Sequence, residues 1–312
     1  MGTVAPPPAV RPTLSIVIVS FNCRELLLGC LESLRKEAHH LTCEVVVVDN
    51  ASNDGTVEAI RERHPEVQLL RSPHNRGFAW ASNRGLEHAS GNHLLLLNPD
   101  TVVPPHALAR AVRALEERPR VGMLGCKLVR PDGSLDKACK RGFPTPLSSL
   151  YYFTGVTRLA PRSPRLAQYT AGHVDEDETA VVEAVNGAFM LVRREAVDAV
   201  GLLDERYWMY MEDLDWCYRF SQRGWSVLYW PEVEVVHVKG GSSGRHRRWR
   251  ANYAFHRGMW LFYRTHYGPT RPFPVTALVW VGIWSKLAVS AVRSAERRGR
   301  ARTRRSPRPA TS

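Results

Sequence analysis

Near its start the chain carries short, unbroken apolar runs, and between them apolar residues at helical spacing. "LSIVIVSFN" (14–22) and "CEVVVVDN" (43–50) are continuous apolar stretches of strand length, and "VQLLRS" (67–72) is a shorter one. "HLLLLNPD" (93–100) sets four leucines against an asparagine, a proline and an aspartate. Runs this short and this apolar suit strands covered on both faces, as in a parallel sheet. Between them, "RELLLGCLESLRKE" (24–37), "TVEAIRERH" (56–64) and "FAWASNRGLEHAS" (78–90) read as helices. The alternation predicts βαβ units with right-handed crossovers in an α/β fold.

Two of the strands end alike. "VVVVDN" and "LLLLNPD" pass from a fully apolar run into acids and amides, which predicts Asp49, Asn50, Asn98 and Asp100 at one edge of one sheet. Pro99 has no N–H for the ladder, so the chain leaves the sheet there and presents Asp100 beyond the strand's C-terminal end. In open α/β sheets ligands sit at that edge, although ordinary turns use the same residue types. Gly77, between the two strands, suits a positive φ or a close backbone approach, and the helix after it offers N–H groups to phosphate oxygens. Neither GxGxxG nor GxxxxGK[ST] occurs, which counts against a dehydrogenase and a P-loop NTPase.

The second half holds further candidates. "VNGAFMLVRREAV" (185–197) reads as a strand running into a helix. "DERYWMYMEDLDWCYRFSQRGW" (204–225) puts Glu212 beside Asp213 and then Leu214, Cys217 and Phe220 at helical spacing. Adjacent helical residues face about 100° apart, so the two acids cannot do one job. An acidic helix N-terminus would also account for them. His237 follows the strand-like "VLYWPEVEVV" and precedes Lys239, Gly240, Gly241, Ser242 and Ser243, a loop composition that suits an anion.

Composition narrows the class. An apolar content of 44% over 312 residues supports a packed core. The six cysteines show no CxxC or metal-finger spacing, and no apolar secretory signal opens the chain, so a reducing cytosolic setting is expected. The proline-rich opening (1–12) reads as a flexible lead-in. The net charge of +13 is a property of the C-terminus: from Lys239 onward there are 17 Lys or Arg and one acid, Glu296. This argues against a nucleic-acid-binding catalytic body and points to a tail that meets something anionic, either a membrane surface or nucleic acid. Just before it, "FPVTALVWVGIWSKLAVSAV" (273–292) has the length of a membrane span. Lys286 within it is costly at mid-membrane, which leaves an interfacial helix and a protein-packed helix as alternatives.

Seven segments taken in order, "IVIVSFN", "VVVVDNASNDGT", "NRGFAWASNRG", "LLLLNPD", "VNGAFMLVRREA", "DERYWMYMEDLDWCYR" and "HVKGG", resemble the inverting nucleotide-sugar glycosyltransferases of family 2, especially rhamnosyltransferase-like bacterial members. The resemblance covers roughly residues 14 to 265. It implies a GT-A fold, a Rossmann-like nucleotide-binding sheet with helices on both faces, over 13–268. Residues 13–125 would bind the nucleotide-sugar and 126–268 would form the acceptor side. A membrane-associating helix and basic tail (269–312) would follow as a C-terminal apolar and basic helical extension.

The resemblance also assigns roles. Ser20, Phe21 and Asn22 would line the nucleotide site, and Asp49 would hydrogen-bond the pyrimidine base. Asn50, Asn75, Gly77, Asn83, Asn98, Asn186 and Gly187 would complete the nucleotide-sugar site. Asp100 matches the last acid of the DxD motif, which holds Mg²⁺ or Mn²⁺, with His237 as a second ligand or a diphosphate contact. Asn98 stands where the motif has its first acid, so weak binding of free metal is expected. Asp213 would be the catalytic base and Glu212 would orient the acceptor or the loop. Trp208, Tyr210 and Trp216 would stack on sugars or belong to the core.

The implied partners are a dTDP- or UDP-sugar, with rhamnose first, a glycan or lipid-linked acceptor, and an anionic membrane surface. No specific nucleic acid is expected. The expected place is cell-surface polysaccharide assembly at the cytoplasmic face of the inner membrane. A catalytically silent sugar-nucleotide or glycan-binding protein of the same fold is the alternative.

Overall fold

The computed structural model describes residues 11–36, 41–238 and 247–303. In it the apolar runs become four adjacent strands that form one side of a large sheet. The elements in chain order begin with β1 (Leu14–Ser20), α1 (Arg24–Arg35), β2 (Cys43–Asp49), α2 (Thr56–Arg63), β3 (Gln68–Arg71), α3 (Phe78–His88) and β4 (His93–Leu97). β1 is buried along its whole length because β2 and β4 pair with it in parallel on either side. Each fully buried Val or Leu in these strands contributes about 1.5–3 kcal/mol. α3 lies close on this layer: a side chain at Gly85 would collide with Val17 of β1.

After Pro99 the chain crosses to the far edge of the sheet as β5 (Thr101–Val102), then forms α4 (Ala107–Glu116) and β6 (Val121–Val129). β7 (Lys140–Arg141), α5 (Pro146–Thr154), β8 (Ala180–Val182) and β9 (Ala184–Val185) follow, with β7 and β9 forming a separate two-stranded ribbon. β10 (Phe189–Arg193), α6 (Arg194–Val200), α7 (Glu212–Gln222) and β11 (Ser226–His237) complete this part. The sheet runs β3-β2-β1-β4-β10-β6-β11-β5, with β8 also on β11.

The first four strands are parallel, as the alternation implies, but the sheet as a whole is mixed. β10 enters antiparallel between β4 and β6. Its run of Phe189, Met190, Leu191 and Val192 is fully buried, which is what a central position requires of a strand of either direction.

The chain divides into two compact units, residues 1–208 with 212–242 and residues 209–211 with 243–312. Within the second unit, α8 (Arg247–His266) and α9 (Phe273–Thr303) pack together. Asn252 donates to Ser290 at 3.1 Å, and the Tyr263 and Thr276 hydroxyls meet at 3.1 Å. Phe262, Tyr263, Ile283 and Leu287 are buried, whereas Phe273, Leu278, Val281, Val289 and Val292 are exposed. α9 is long and apolar enough over Phe273–Val292 to cross a membrane, with a mean hydropathy of 1.7.

Candidate active site

The register of the sheet sets the geometry of the strand ends. Ser20, the last residue of β1, stands opposite Asp49, the last of β2. Asp49 is 2% exposed. Its Oδ2 accepts from the Ser52 N–H at 3.1 Å, while its Oδ1 is buried without a partner. A buried acceptor left unpaired costs about 1–3 kcal/mol, so Oδ1 is an unmet acceptor at the strand end. Asn22 adopts a positive φ of 50° and accepts from the Asn53 N–H at 2.7 Å, while its own N–H donates to Ser52 Oγ at 2.9 Å. The two loops beside Asp49 are thereby tied to each other. Phe21, in the first of these loops, is half-buried.

Asn50 and Asn75 build a loop. The Asn50 amide donates to the Gly77 carbonyl at 3.0 Å and to Asn75 Oδ1 at 3.3 Å, and it accepts from the Arg76 N–H. Gly77 has φ +97°, and a Cβ there would collide with the carbonyl and ring of Trp208. The close approach expected at Gly77 is therefore made by the protein's own backbone. The Phe78 N–H that would open a phosphate site donates to the Trp208 carbonyl at 2.7 Å. Asn83 is buried, and its amide donates to the Leu203 carbonyl and Glu205 and accepts from the Leu203 N–H. Both residues hold the 203–208 segment against α3. Trp216 is fully buried and its indole donates to the Gly201 carbonyl, so it belongs to the core. Trp208 is half-buried and Tyr210 is exposed.

Asp100 and His237 are brought together by β5. Thr101 pairs with His237 and Val102 with Val236, and the Val238 N–H donates to the Asp100 carbonyl at 2.8 Å. His237 Nε2 lies 3.3 Å from Asp100 Oδ1. Ligands at 2.0–2.1 Å on adjacent octahedral positions stand about 3 Å apart, so one imidazole nitrogen and one carboxylate oxygen at this separation fit a shared Mg²⁺ or Mn²⁺. Among the described residues no cluster of three or more ligating side chains occurs. Asn98 is half-buried between β4 and Asp100. The loop from Lys239 to Ser243 lies outside the described residues.

A residue not anticipated from sequence sits on the other ring nitrogen. His237 Nδ1 is 3.2 Å from Asp136 Oδ2, in a side chain only 2% exposed. Burial alone would push the imidazole pKa down, but the hydrogen bonds to Asp100 and Asp136 outweigh it and raise it to about 9.

The acids of α7 occupy different environments. Asp213 Oδ2 accepts from the Gly187 N–H at 3.2 Å and from Arg141, a second residue not anticipated, and Oδ1 accepts from the Leu214 N–H at 2.8 Å. Arg141 also donates to the Val185 carbonyl at 3.0 Å. The Arg141 and Asp213 side chains are only 16% and 13% exposed. Burial disfavours the guanidinium, yet the Asp213 charge more than offsets it and holds Arg141 protonated. Glu212 is buried with Oε2 unpaired; burial first, and then the Asp213 charge, push its carboxyl well above the usual range. Both causes favour its protonated form. Asn186 caps its own turn by accepting from the Ala188 N–H at 2.9 Å, which presents the Gly187 N–H to Asp213.

The description "Glycosyl transferase family 2" fits residues 15–201. The chain is 32% identical over 212 residues to the N-acetylglucosaminyl-diphospho-decaprenol L-rhamnosyltransferase of Mycobacterium tuberculosis, spanning 64% of this chain and 68% of that protein. It is 27% identical over 241 residues to the O-antigen biosynthesis protein RfbC of Myxococcus xanthus, spanning 74% of this chain and 18% of that one. Among solved structures, the mannosyltransferase PcManGT from Pyrobaculum calidifontis, in complex with GDP-Man and Mn2+, aligns with a TM-score of 0.58 at 24% identity, covering 98% of this chain and 79% of that one. The fold is that of the GT-A glycosyltransferases. The chain belongs to glycosyl transferase family 2.

Proposed function

We propose that the chain is a metal-dependent, inverting transferase that moves a sugar, rhamnose by first expectation, from a dTDP- or UDP-sugar to a hydroxyl of a glycan or lipid-linked acceptor. The observation that carries this reading is the meeting of Asp100 Oδ1 and His237 Nε2 at 3.3 Å beyond the strand ends. The unpaired Asp49 oxygen supports a pyrimidine nucleotide, because the ring N–H of uracil or thymine is the donor it lacks. Rhamnose and a lipid-linked acceptor are supported by the activity that the mycobacterial relative is named for.

Asp213 takes the proton of the acceptor hydroxyl as that oxygen attacks the anomeric carbon from the face opposite the diphosphate. The bond to the diphosphate breaks as the new bond forms, and the configuration inverts. Arg141 and the Gly187 N–H fix Oδ2, so the carboxylate is held in one orientation before the acceptor arrives. Glu212, whose burial and Asp213 neighbour favour the protonated form, serves to orient rather than to accept. A divalent cation held by Asp100 and His237 would neutralise charge on the departing diphosphate.

The exposed apolar residues of α9 suit lipid contact at the cytoplasmic leaflet, where the arginines that follow in sequence meet anionic headgroups. This would bring the enzyme to a lipid-linked acceptor in cell-surface polysaccharide assembly. The test is Asp213→Asn, with nucleotide binding and turnover measured side by side. An enzyme loses turnover and keeps binding. A silent sugar-nucleotide-binding protein has no turnover to lose.

A further inference from the structure

We propose that Asp136 is a positioning residue for the cation site: it keeps the His237 proton on Nδ1 when a cation displaces the one on Nε2, and it supplies from behind the negative charge that Asn98 does not supply in front. The inference rests on the reading of Asp100 and His237 as the protein's metal ligands.

The geometry is specific. The imidazole lies between two carboxylates, with Asp100 on Nε2 at 3.3 Å and Asp136 on Nδ1 at 3.2 Å. An imidazole ligates a metal through one nitrogen only when the proton sits on the other. A carboxylate at the far nitrogen fixes that proton, aims the ring and strengthens the donor nitrogen. Asp136 is itself held in place. Its backbone N–H donates to the Leu128 carbonyl at 2.8 Å, its carbonyl accepts from the Cys139 N–H at 2.9 Å, and its Oδ1 accepts from the Ala138 N–H at 3.1 Å.

The fold explains how two residues 101 positions apart meet. After β6 the chain turns at Gly133, which has φ +78°, and folds back along the strand it has left, with Leu135 bridging to Val129. Val236 and Leu135 both stand opposite Val129, but β11 runs parallel to β6 and the return segment antiparallel, so His237 and Asp136 lie one residue from that level in opposite directions and meet through their side chains. A register slip of one residue in either pairing would turn one of these side chains to the opposite face.

The chemistry also answers a difficulty in the strand-end motif. A site with one carboxylate and one neutral imidazole binds a hard dication weakly. A buried carboxylate hydrogen-bonded to that imidazole adds charge without occupying a coordination position, which leaves those positions for diphosphate oxygens and water.

An asparagine at 136 separates this role from that of a turn residue. Its single oxygen can serve Ala138 or His237 but not both. If it serves Ala138, its NH2 faces Nδ1 and drives the ring proton to Nε2, which blocks ligation. If it serves His237, the NH2 opposes the Ala138 N–H.

The experiment uses the full chain and Mn²⁺ as the probe. Free Mn²⁺ is counted by its EPR signal during titration, and the nitrogen coupling of bound Mn²⁺ is read by electron spin-echo modulation. Wild type, His237→Ala, Asp136→Asn, Asp136→Ser and Asp136→Glu are compared, with thermal melts in chelator to show that each is folded. The inference predicts a nitrogen coupling that is lost in His237→Ala. It predicts an affinity about 10–100-fold weaker in Asp136→Asn and Asp136→Ser. Recovery of most of the affinity is expected in Asp136→Glu, which keeps a carboxylate. If His237→Ala weakens Mn²⁺ binding but the folded Asn and Ser variants bind as wild type does, Asp136 is a turn residue and the inference is wrong while the metal reading stands. If His237→Ala binds Mn²⁺ as wild type does, the metal reading fails and the inference fails with it.

Discussion

Arg141 and Gly187 converge on one oxygen of Asp213, the guanidinium from a two-residue strand and the backbone N–H from the turn before β10. Arg141 stands opposite Ala184 in the β7–β9 pairing, just before that turn. The carboxylate is therefore fixed by two neighbours that belong to the same ribbon and its exit.

Removing Arg141 should leave a largely buried carboxylate without its cation. We expect Arg141→Met to lower stability by about 3 kcal/mol, the lower end for breaking a buried pair because both side chains retain some exposure. In the Asp213→Asn background the same change should cost much less. Urea unfolding of the four proteins of this cycle measures the difference. Equal costs in the two backgrounds would show that the pair is not coupled.

Asp213→Asn should lower turnover by about 10²–10⁴-fold, the range for loss of a general base, with little change in nucleotide affinity. Single-turnover kinetics on saturated enzyme isolates that step.

Glu212 carries a pH signature. Its folded pKa is raised, to about 8, above that of an ordinary carboxyl. The stability it contributes is therefore fully present below the unfolded pKa of about 4.3 and is lost as pH rises through the folded value. Glu212→Gln cannot ionise. Its stability relative to wild type should rise between these limits and level off above them, as read from urea midpoints across the range. A difference independent of pH would mean that Glu212 ionises alike in the folded and unfolded chains.

At Gly77, alanine meets both a positive φ and the Trp208 backbone. Gly77→Ala should destabilise by about 1–3 kcal/mol. Because the Asn50–Asn75 network is anchored on this turn, nucleotide affinity should fall as well. A thermal melt and a nucleotide titration on the same sample check both.

What could be read along the chain was what lies in one dimension. Four apolar runs with helices between them specify parallel neighbours, and strand ends at Asp49 and Asp100 follow from where the apolar residues stop. The leucine run at 94–97 ends in a carboxylate because Pro99 releases the chain to cross the sheet and pair as β5, where Asp100 meets His237. Asp136 and Arg141 were not legible, because they reach the site through pairings across 101 and 72 residues. Asp136 had a faint signal, the Pro-Asp-Gly turn at 131–133 that folds the chain back. Arg141 had none beyond its charge. The antiparallel entry of β10 was equally hidden, since an apolar run does not state its direction. Gly77 and Asn83 approach the chain's own backbone, a neighbour that a sequence does not distinguish from a ligand.

The most direct measurement is release of nucleoside diphosphate by the purified protein from dTDP-rhamnose, UDP-glucose, UDP-galactose and UDP-GlcNAc, with and without Mn²⁺. The account predicts slow, Mn²⁺-dependent hydrolysis of one donor, abolished by Asp100→Ala. Hydrolysis that ignores both the metal and Asp100, or no binding of any of these donors under any metal condition, would contradict it.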